Sequence, residues 1–332
     1  MVMETVFIIN PKAGKRNDTD RLVGEIKKAA EQTDASVTTY ITKCVGDATR
    51  FVSEFCRKCG KTRFIACGGD GTLNEVLNGI KDCEAAEVGV LPMGTGNDFC
   101  RNFRELGDFE NISLQITGEC VKSDVISYTT VVDGEIKEGC CVNMFNIGFD
   151  CSVADLTGTI KKRTFFSGSL AYFISILITL VRKRCTRLKI ELDGRECHRG
   201  KVLLTSIANG CFCGGGIKSN PLAEVNDGLI NINIIKNVSR LRFISLLPYY
   251  MKGTFLKLKG IDKVIASGKC SEVVITPECG KIRLCIDGEI VDAGKTRFKA
   301  LHNAFNFVIP AKTAKREAIR EYVIPCNGQH IQ

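Results

Sequence analysis

Two hydrophobic periods take turns along the first third of the chain. Residues 6–10, 37–42, 64–67 and 88–92 are short apolar runs that predict strands. Between them, residues 19–32 set Leu22, Ile26, Ala29 and Ala30 at helical spacing, and residues 47–59 do the same with Ala48, Phe51, Val52 and Phe55. A third helix runs from Leu73. Repeated β-α-β units predict a doubly wound, parallel sheet. Ligands of such sheets sit at the carboxyl ends of the strands. Asn10, Thr42, Gly69 and Thr95 each fall just past a predicted strand, so they are expected to cluster.

From about residue 125 the pattern changes. Short β-rich segments dominate, at 125–132, 140–147, 188–192, 201–208, 229–235, 272–275 and 282–286. Helical stretches at 169–182 and 241–250 interrupt them. This predicts an antiparallel sandwich or barrel. The expected fold is therefore α/β plus all-β: a nucleotide-binding α/β domain over 1–124, completed by 298–325, and a β-sandwich domain over 125–297.

Composition supports this picture and narrows it. With 332 residues, 44% hydrophobic and 25% charged, the chain has room for two cored domains and is not a disordered tail. Its net charge of +9 suits anionic partners, although solubility alone would also explain it. No nucleic-acid recognition motif accompanies that charge, so nucleic acid is not an expected partner. The start reads as a first strand rather than a signal peptide. The longest apolar run, 170–181, falls short of the roughly 20 residues that span a bilayer. A cytoplasmic location is expected. The 18 cysteines show no disulfide or zinc rhythm and read as small reduced hydrophobes.

The strongest chemical signal is Gly68-Gly69-Asp70-Gly71-Thr72, between a strand and a helix. Glycines let backbone N–H groups approach an anion, and the following helix aims its positive end at the same charge. Asp70 makes sense beside a polyphosphate mainly with a cation or a proton to move, which points to phosphoryl transfer. Asn10-Pro11-Lys12-Ala13-Gly14-Lys15 closes the first strand and could cradle phosphate, but it lacks P-loop spacing. Gly94-Thr95-Gly96-Asn97-Asp98 offers another loop at the same edge, with Asn97 or Asp98 able to cap a helix instead.

Further on, Glu224 and Asp227 stand three apart before Gly228, so both carboxylates and the Leu229 carbonyl could meet one hard cation. A plain Asp-Gly turn is the competing reading. Asp287-Gly288-Glu289 is either a hairpin signal or a pair of carboxylates able to accept a hydroxyl proton, and spacing alone leaves both open.

Taken together, Asn10-Pro11-x-x-Gly14, Gly68 to Glu75 and Pro92-x-Gly94-Thr95-Gly96-Asn97-Asp98-Phe99 resemble the diacylglycerol kinase catalytic domain, in its bacterial lipid kinase branch. Asn146-Ile147-Gly148-Phe149-Asp150, Gly214-Gly215-Gly216, Pro221-x-Ala223, Asp227-Gly228-x-Leu229 and Asp287-Gly288-Glu289 follow in family order. The resemblance implies a Rossmann-like first domain of the NAD kinase and phosphofructokinase type, and a β-sandwich second domain. It implies ATP contacts from Asn10, Pro11, Lys12, Ala13, Gly14, Thr42, Gly69, Asp70, Gly71, Thr72, Leu73, Asn74, Glu75 and Thr95. It also implies Mg2+ with ATP, and a structural Mg2+ held by Glu224, Asp227 and the Leu229 backbone, with Glu224 the least secure ligand. Glu289 resembles the family's proton acceptor, with Asp287 beside it and Asp70 near the phosphates.

The implied reaction moves the γ-phosphoryl group of Mg-ATP to a lipid hydroxyl, with diacylglycerol the leading acceptor. Phosphatidylglycerol, a sphingoid base or ceramide are alternatives. A lipid substrate requires peripheral contact with an anionic membrane. Lys161, Lys162, Arg163, Phe165 and Phe166 before the apolar run, and Arg182, Lys183 and Arg184 after it, are the candidate docking residues. A core helix with solvated flanks is the competing reading. An NAD kinase shares the Gly-Gly-Asp-Gly-Thr loop, but the later motifs fit the lipid branch better. A non-catalytic lipid or nucleotide sensor would not need Asp70, Asp287 and Glu289 together. A homodimer is left open.

Overall fold

The computed structural model describes residues 3–13, 19–103, 106–148, 185–287 and 289–310. The chain divides into two compact units. One runs to Val125 and takes up the chain again from His302, and the other spans Ile126–Leu301.

The first unit alternates strand and helix in the order β1 (Glu4–Ile9), α1 (Thr19–Thr33), β2 (Val37–Ile41), α2 (Asp47–Cys56), β3 (Thr62–Gly68), α3 (Asp70–Gly79) and β4 (Glu87–Pro92). A short α4 (Ile112–Thr117) follows, which the apolar pattern does not predict. β1 pairs in parallel with β2 on one side and β3 on the other, and β3 pairs in parallel with β4. The order β4-β3-β1-β2 reverses its winding between β1 and β3. That gap is the switch point at which doubly wound sheets bind ligands.

β1 and β3 are buried on both faces, as their unbroken apolar runs require. Phe7, Ile9, Ile65 and Cys67 pack against Leu22, Ile26 and Ala29 of α1. At the amino ends of the strands, the register sets Arg63 beside Glu87. The Arg63 guanidinium donates to the Glu87 carboxylate at 2.7 and 2.9 Å and to the carbonyls of Gln115, Ile116 and Gly118, so the buried charge is fully partnered.

The second unit is antiparallel. β5 (Glu119–Val132) leads into it and pairs with β6 (Glu135–Cys141). β7 (Met144–Gly148), β8 (Thr186–Leu192), β9 (Arg195–Ala208) and β10 (Ile230–Lys236) follow, then α5 (Arg240–Met251). β11 (Ile265–Cys270), β12 (Glu272–Pro277), β13 (Ile282–Ile286), β14 (Glu289–Ala293) and the first part of β15 (Thr296–Ile309) complete it, while the rest of β15, from His302, belongs to the first unit. β9 is long enough to serve two neighbourhoods. Its first half pairs with β8, and its second half lies between β7 and β10. Phe145, Ile147, Ile190, Ile207, Ile232, Leu284 and Phe298 fill the interior. α5 covers a separate apolar cluster with Leu203, Leu204 and Ile235.

The expected strand over 140–147 is two strands, because Val142 and Asn143 turn the chain between β6 and β7. β11 and β14 are not predicted by alternation. The former carries Ala266, Ser267, Gly268 and Lys269, whose side chains give little apolar signal. The basic and apolar stretch expected to dock on membranes, Lys161 to Arg184, lies outside the described residues, as do Gly14, Asp150 and Gly288. Among the described residues, no helix is long and apolar enough to cross a membrane.

Candidate active site

In the first unit the carboxyl ends of β1 to β4 share one sheet edge, since all four strands are parallel. Asn10, Thr42, Gly69 and Thr95 lie just past these ends, as expected. The Asn10 amide donates to the Cys67 carbonyl at 3.0 Å, and the Thr42 amide to the Ile9 carbonyl at 2.9 Å, so each residue following a strand is tied to its neighbour. Asn10 Nδ2 also donates to Thr72 Oγ1 at 3.1 Å, which joins the first loop to the Asp70 loop across the switch point. Its Oδ1 accepts from the Lys12 amide at 3.0 Å and shapes the turn through Pro11, Lys12 and Ala13.

α3 begins at Asp70, after Gly69. Asp70 thus stands in the first helical turn, where a carboxylate is favoured by the helix dipole. Its oxygens accept the backbone amides of Asp98 and Phe99, each at 3.1 Å. Asp70 therefore staples the β3–α3 turn to the loop after β4. Asn97 does not spend its side chain on a helix cap. Asn97, at φ 51°, closes the turn on Gly94 instead, accepting its amide at 3.0 Å and donating to its carbonyl at 2.9 Å.

The glycines divide into two kinds. A Cβ on Gly68 would meet Thr72 Oγ1 at 2.2 Å, and one on Gly94 would meet the Gly69 Cα at 2.5 Å. These two are required by protein packing, Gly68 because the Thr72 side chain lies against it and Gly94 because its loop touches Gly69 backbone to backbone. Gly71 has open space on its Cβ side. It is the glycine at which something outside the chain could approach.

The other expected ATP residues part company here. Leu73 is buried in the core and Thr72 is almost so, whereas Thr95 is exposed. Glu75 turns to α2, where its side chain accepts the Ala48 amide at 3.2 Å and its carbonyl accepts from Thr49. The Asn74 side-chain oxygen is buried with no hydrogen-bond partner among the described residues.

In the second unit Asp287 follows β13 at φ 43°, and its amide donates to the Met144 carbonyl at 3.2 Å. Oδ1 accepts the Met144 amide at 3.0 Å, so the carboxylate extends the β13–β7 ladder. The buried Cys141 thiol also hydrogen-bonds this carboxylate; burial, then the Asp287 charge, pushes the thiol well above its ordinary range. Glu289 opens β14 and pairs with Ile286, and its side chain lies outside the described residues.

Glu224 and Asp227 do converge, as the spacing suggested, and a residue that sequence reasoning missed stands between them. Lys269 Nζ donates to Glu224 Oε1 at 3.0 Å and to Asp227 Oδ2 at 2.7 Å. Burial by itself pushes this ammonium down, but the two carboxylates hold it above the usual lysine range. Asp227 Oδ1 accepts the Leu229 amide at 3.0 Å, which closes the turn. Among the described residues no three His, Cys, Asp or Glu side chains gather to hold a metal. The donor set around this turn, two carboxylates already shared by an ammonium, does not fit a resident divalent ion.

Two family models cover nearly all of this architecture. Residues 4–128 match the diacylglycerol kinase catalytic domain, and residues 143–309 match the YegS C-terminal NAD kinase beta sandwich-like domain. The chain belongs to the diacylglycerol kinase family of lipid kinases. It is thus a member of a kinase enzyme family, as the motifs implied.

Among its relatives, the diacylglycerol kinase of Bacillus subtilis is 28% identical over 93% of this chain and 97% of its own length. An Escherichia fergusonii protein named "Probable lipid kinase YegS" is 33% identical over 69% of this chain and 73% of its own. The fold matches the crystal structure of a diacylglycerol kinase from Bacillus anthracis with a TM-score of 0.66, at 21% identity, covering 92% of this chain and 96% of that one. A yeast NADH kinase structure matches at TM-score 0.50 and 12% identity, covering 94% of this chain and 84% of that one. The expected combination of an NAD kinase-like first domain and a β-sandwich second domain is the fold of this lipid kinase.

Proposed function

We propose that this lipid kinase transfers the γ-phosphoryl group of Mg-ATP to a lipid hydroxyl, with diacylglycerol as the acceptor and phosphatidic acid as the product. The observation that carries the reading is the Asp70 staple. A carboxylate in the first turn of a helix joins two glycine loops at the switch point of a doubly wound sheet, where nucleotide phosphates are held in folds of this type.

In this reading the loops after β1, β3 and β4 bind the nucleotide, with Gly71 giving the open approach and the amino end of α3 facing the phosphates. Asp70 keeps a full negative charge after accepting two neutral amides, and orients the cation that arrives with ATP. Magnesium neutralises phosphate charge when bound. Glu289 accepts the proton of the lipid hydroxyl as its oxygen attacks phosphorus in line and ADP departs. Asp287 serves as its support, since the Met144 amide and the Cys141 thiol already engage its carboxylate. Positioning and charge stabilisation carry most of the acceleration in phosphoryl transfer. Contact with an anionic membrane surface, favoured by the net charge of +9, brings the acceptor to the protein.

The test is labelled ATP with purified protein and a panel of mixed-micelle lipids: diacylglycerol, phosphatidylglycerol, a sphingoid base and ceramide, with NAD included. Phosphate is expected in diacylglycerol. Incorporation only into another lipid moves the acceptor, and incorporation only into NAD refutes the lipid reading.

A further inference from the structure

We propose that Lys269 supplies, as a covalently attached ammonium, the positive charge that the Glu224–Asp227 turn would otherwise take from a divalent cation, so that this turn is metal-independent. The inference goes beyond the kinase reading and does not rest on it.

The register explains how the lysine arrives. β10 begins directly after the turn, and its antiparallel pairing with β11 sets Asn231 opposite Lys269. Lys269 is thus a strand residue delivered to the turn by ladder pairing. Its ammonium reaches both carboxylates at hydrogen-bond distance, 2.7 and 3.0 Å. A magnesium or calcium ion would sit about 2.0–2.6 Å from the same oxygens and collect six or more ligands. Such an ion, if bound to both carboxylates, would stand against Nζ, with two like charges in contact. The oxygens of Asp227 are also allotted, one to the lysine and one to the Leu229 amide.

Shape and charge both favour the lysine. The ammonium offers three donors and needs no coordination shell, so two carboxylates suffice for it where they would be a poor cage for a hard cation. The Glu224, Asp227 and Lys269 side chains are 35%, 19% and 27% exposed, which shields the contact without removing it from water. A tethered cation also needs no free metal to hold the 224–229 turn.

Counting Mn2+ sites on nucleotide-free protein by electron paramagnetic resonance tests the proposal. Wild type and Glu224→Gln are expected to carry the same number of sites. Lys269→Met is expected to gain one, and the double variant to lose it again. A wild-type site that disappears in Glu224→Gln overturns the proposal, as does a Lys269→Met protein that gains none.

If Lys269→Met does not fold, thermal unfolding of wild type and Glu224→Gln in EDTA and in Mg2+ decides. Equal wild-type Tm in both buffers is expected, and a Mg2+-dependent rise abolished in Glu224→Gln overturns it. Neither measurement contains nucleotide or lipid, so failure here leaves the lipid phosphorylation assay untouched.

Discussion

Asp70 in the first unit and the Glu224–Asp227 pair in the second are both acidic motifs at turns, yet their charges are met differently. Asp70 accepts two backbone amides. These partial charges are fixed by the fold, cannot swing away, and leave the formal charge of the carboxylate unspent. Glu224 and Asp227 share a fully charged lysine side chain. The first arrangement holds a carboxylate in place without a charged partner in the pair of contacts. The second largely satisfies its carboxylates within the chain. An acidic pair with ligand-like spacing is therefore a metal site only if no basic side chain reaches it first.

Arg63 and Glu87 mark the buried extreme of the second arrangement and give the largest expected effect. Removing one partner of a buried, hydrogen-bonded pair costs about 3–5 kcal/mol. Arg63→Met should lose that much in denaturant unfolding, several times the cost of breaking the more exposed Lys269 contacts. The pair also sets a pH dependence. Burial by itself pushes the Glu87 carboxyl up, but the Arg63 and Lys61 charges hold it below the usual carboxylate range. The lowered folded-state value means that this contribution is complete above the ordinary glutamate range, and is lost as pH falls through the folded value. Acid unfolding of wild type should show that loss, and Arg63→Met should show a smaller one, left by the Lys61 contact.

Asp70→Asn breaks the comparison at its other end. It keeps one acceptor for the amides of Asp98 and Phe99 and removes the unspent charge. Turnover should fall by about 10²-fold or more, the scale for a positioned acidic group, with a Tm loss limited to the one amide contact that Asn cannot accept. A matching fall is expected for Glu289→Gln. Equal losses in Tm and in kcat for Asp70→Asn would make Asp70 a staple alone.

The glycines sharpen the same distinction between packing and ligand. Gly94→Ala forces a Cβ onto the Gly69 Cα and should lower stability by about 1–3 kcal/mol, the cost of overpacking. Gly71→Ala meets open space. It should leave Tm within a degree or two and raise the KM for ATP, because the added methyl group stands where the phosphates approach. The smallest effect on stability is expected here, and a large Tm loss would show that Gly71, too, is a packing glycine.

Much of the first unit is readable in the sequence, because its cues are local. Apolar runs of four to six residues separated by amphipathic helices leave a parallel sheet as the economical arrangement, and the residues after each strand must then share an edge. The second unit is less transparent. Some of its strands, such as β6 and β11, are largely exposed, and β11 carries Ser, Gly and Lys where alternation looks for apolar residues. Ladder pairing there is set by distant partners, so a single segment carries little of the signal.

By itself, the sequence determined the two-part fold and the family, because glycine loops, strand ends and Asp-Gly turns are short-range patterns. Only the tertiary structure decided what each of those groups touches. It gave Asp70 its two amides, turned Glu75 toward α2, engaged Asp287 with Met144 and Cys141, and brought Lys269 to Asp227 from 42 positions away. Electrostatics acts across space rather than along the chain, so the partner that fixes a carboxylate's role can lie on any strand that the register brings alongside.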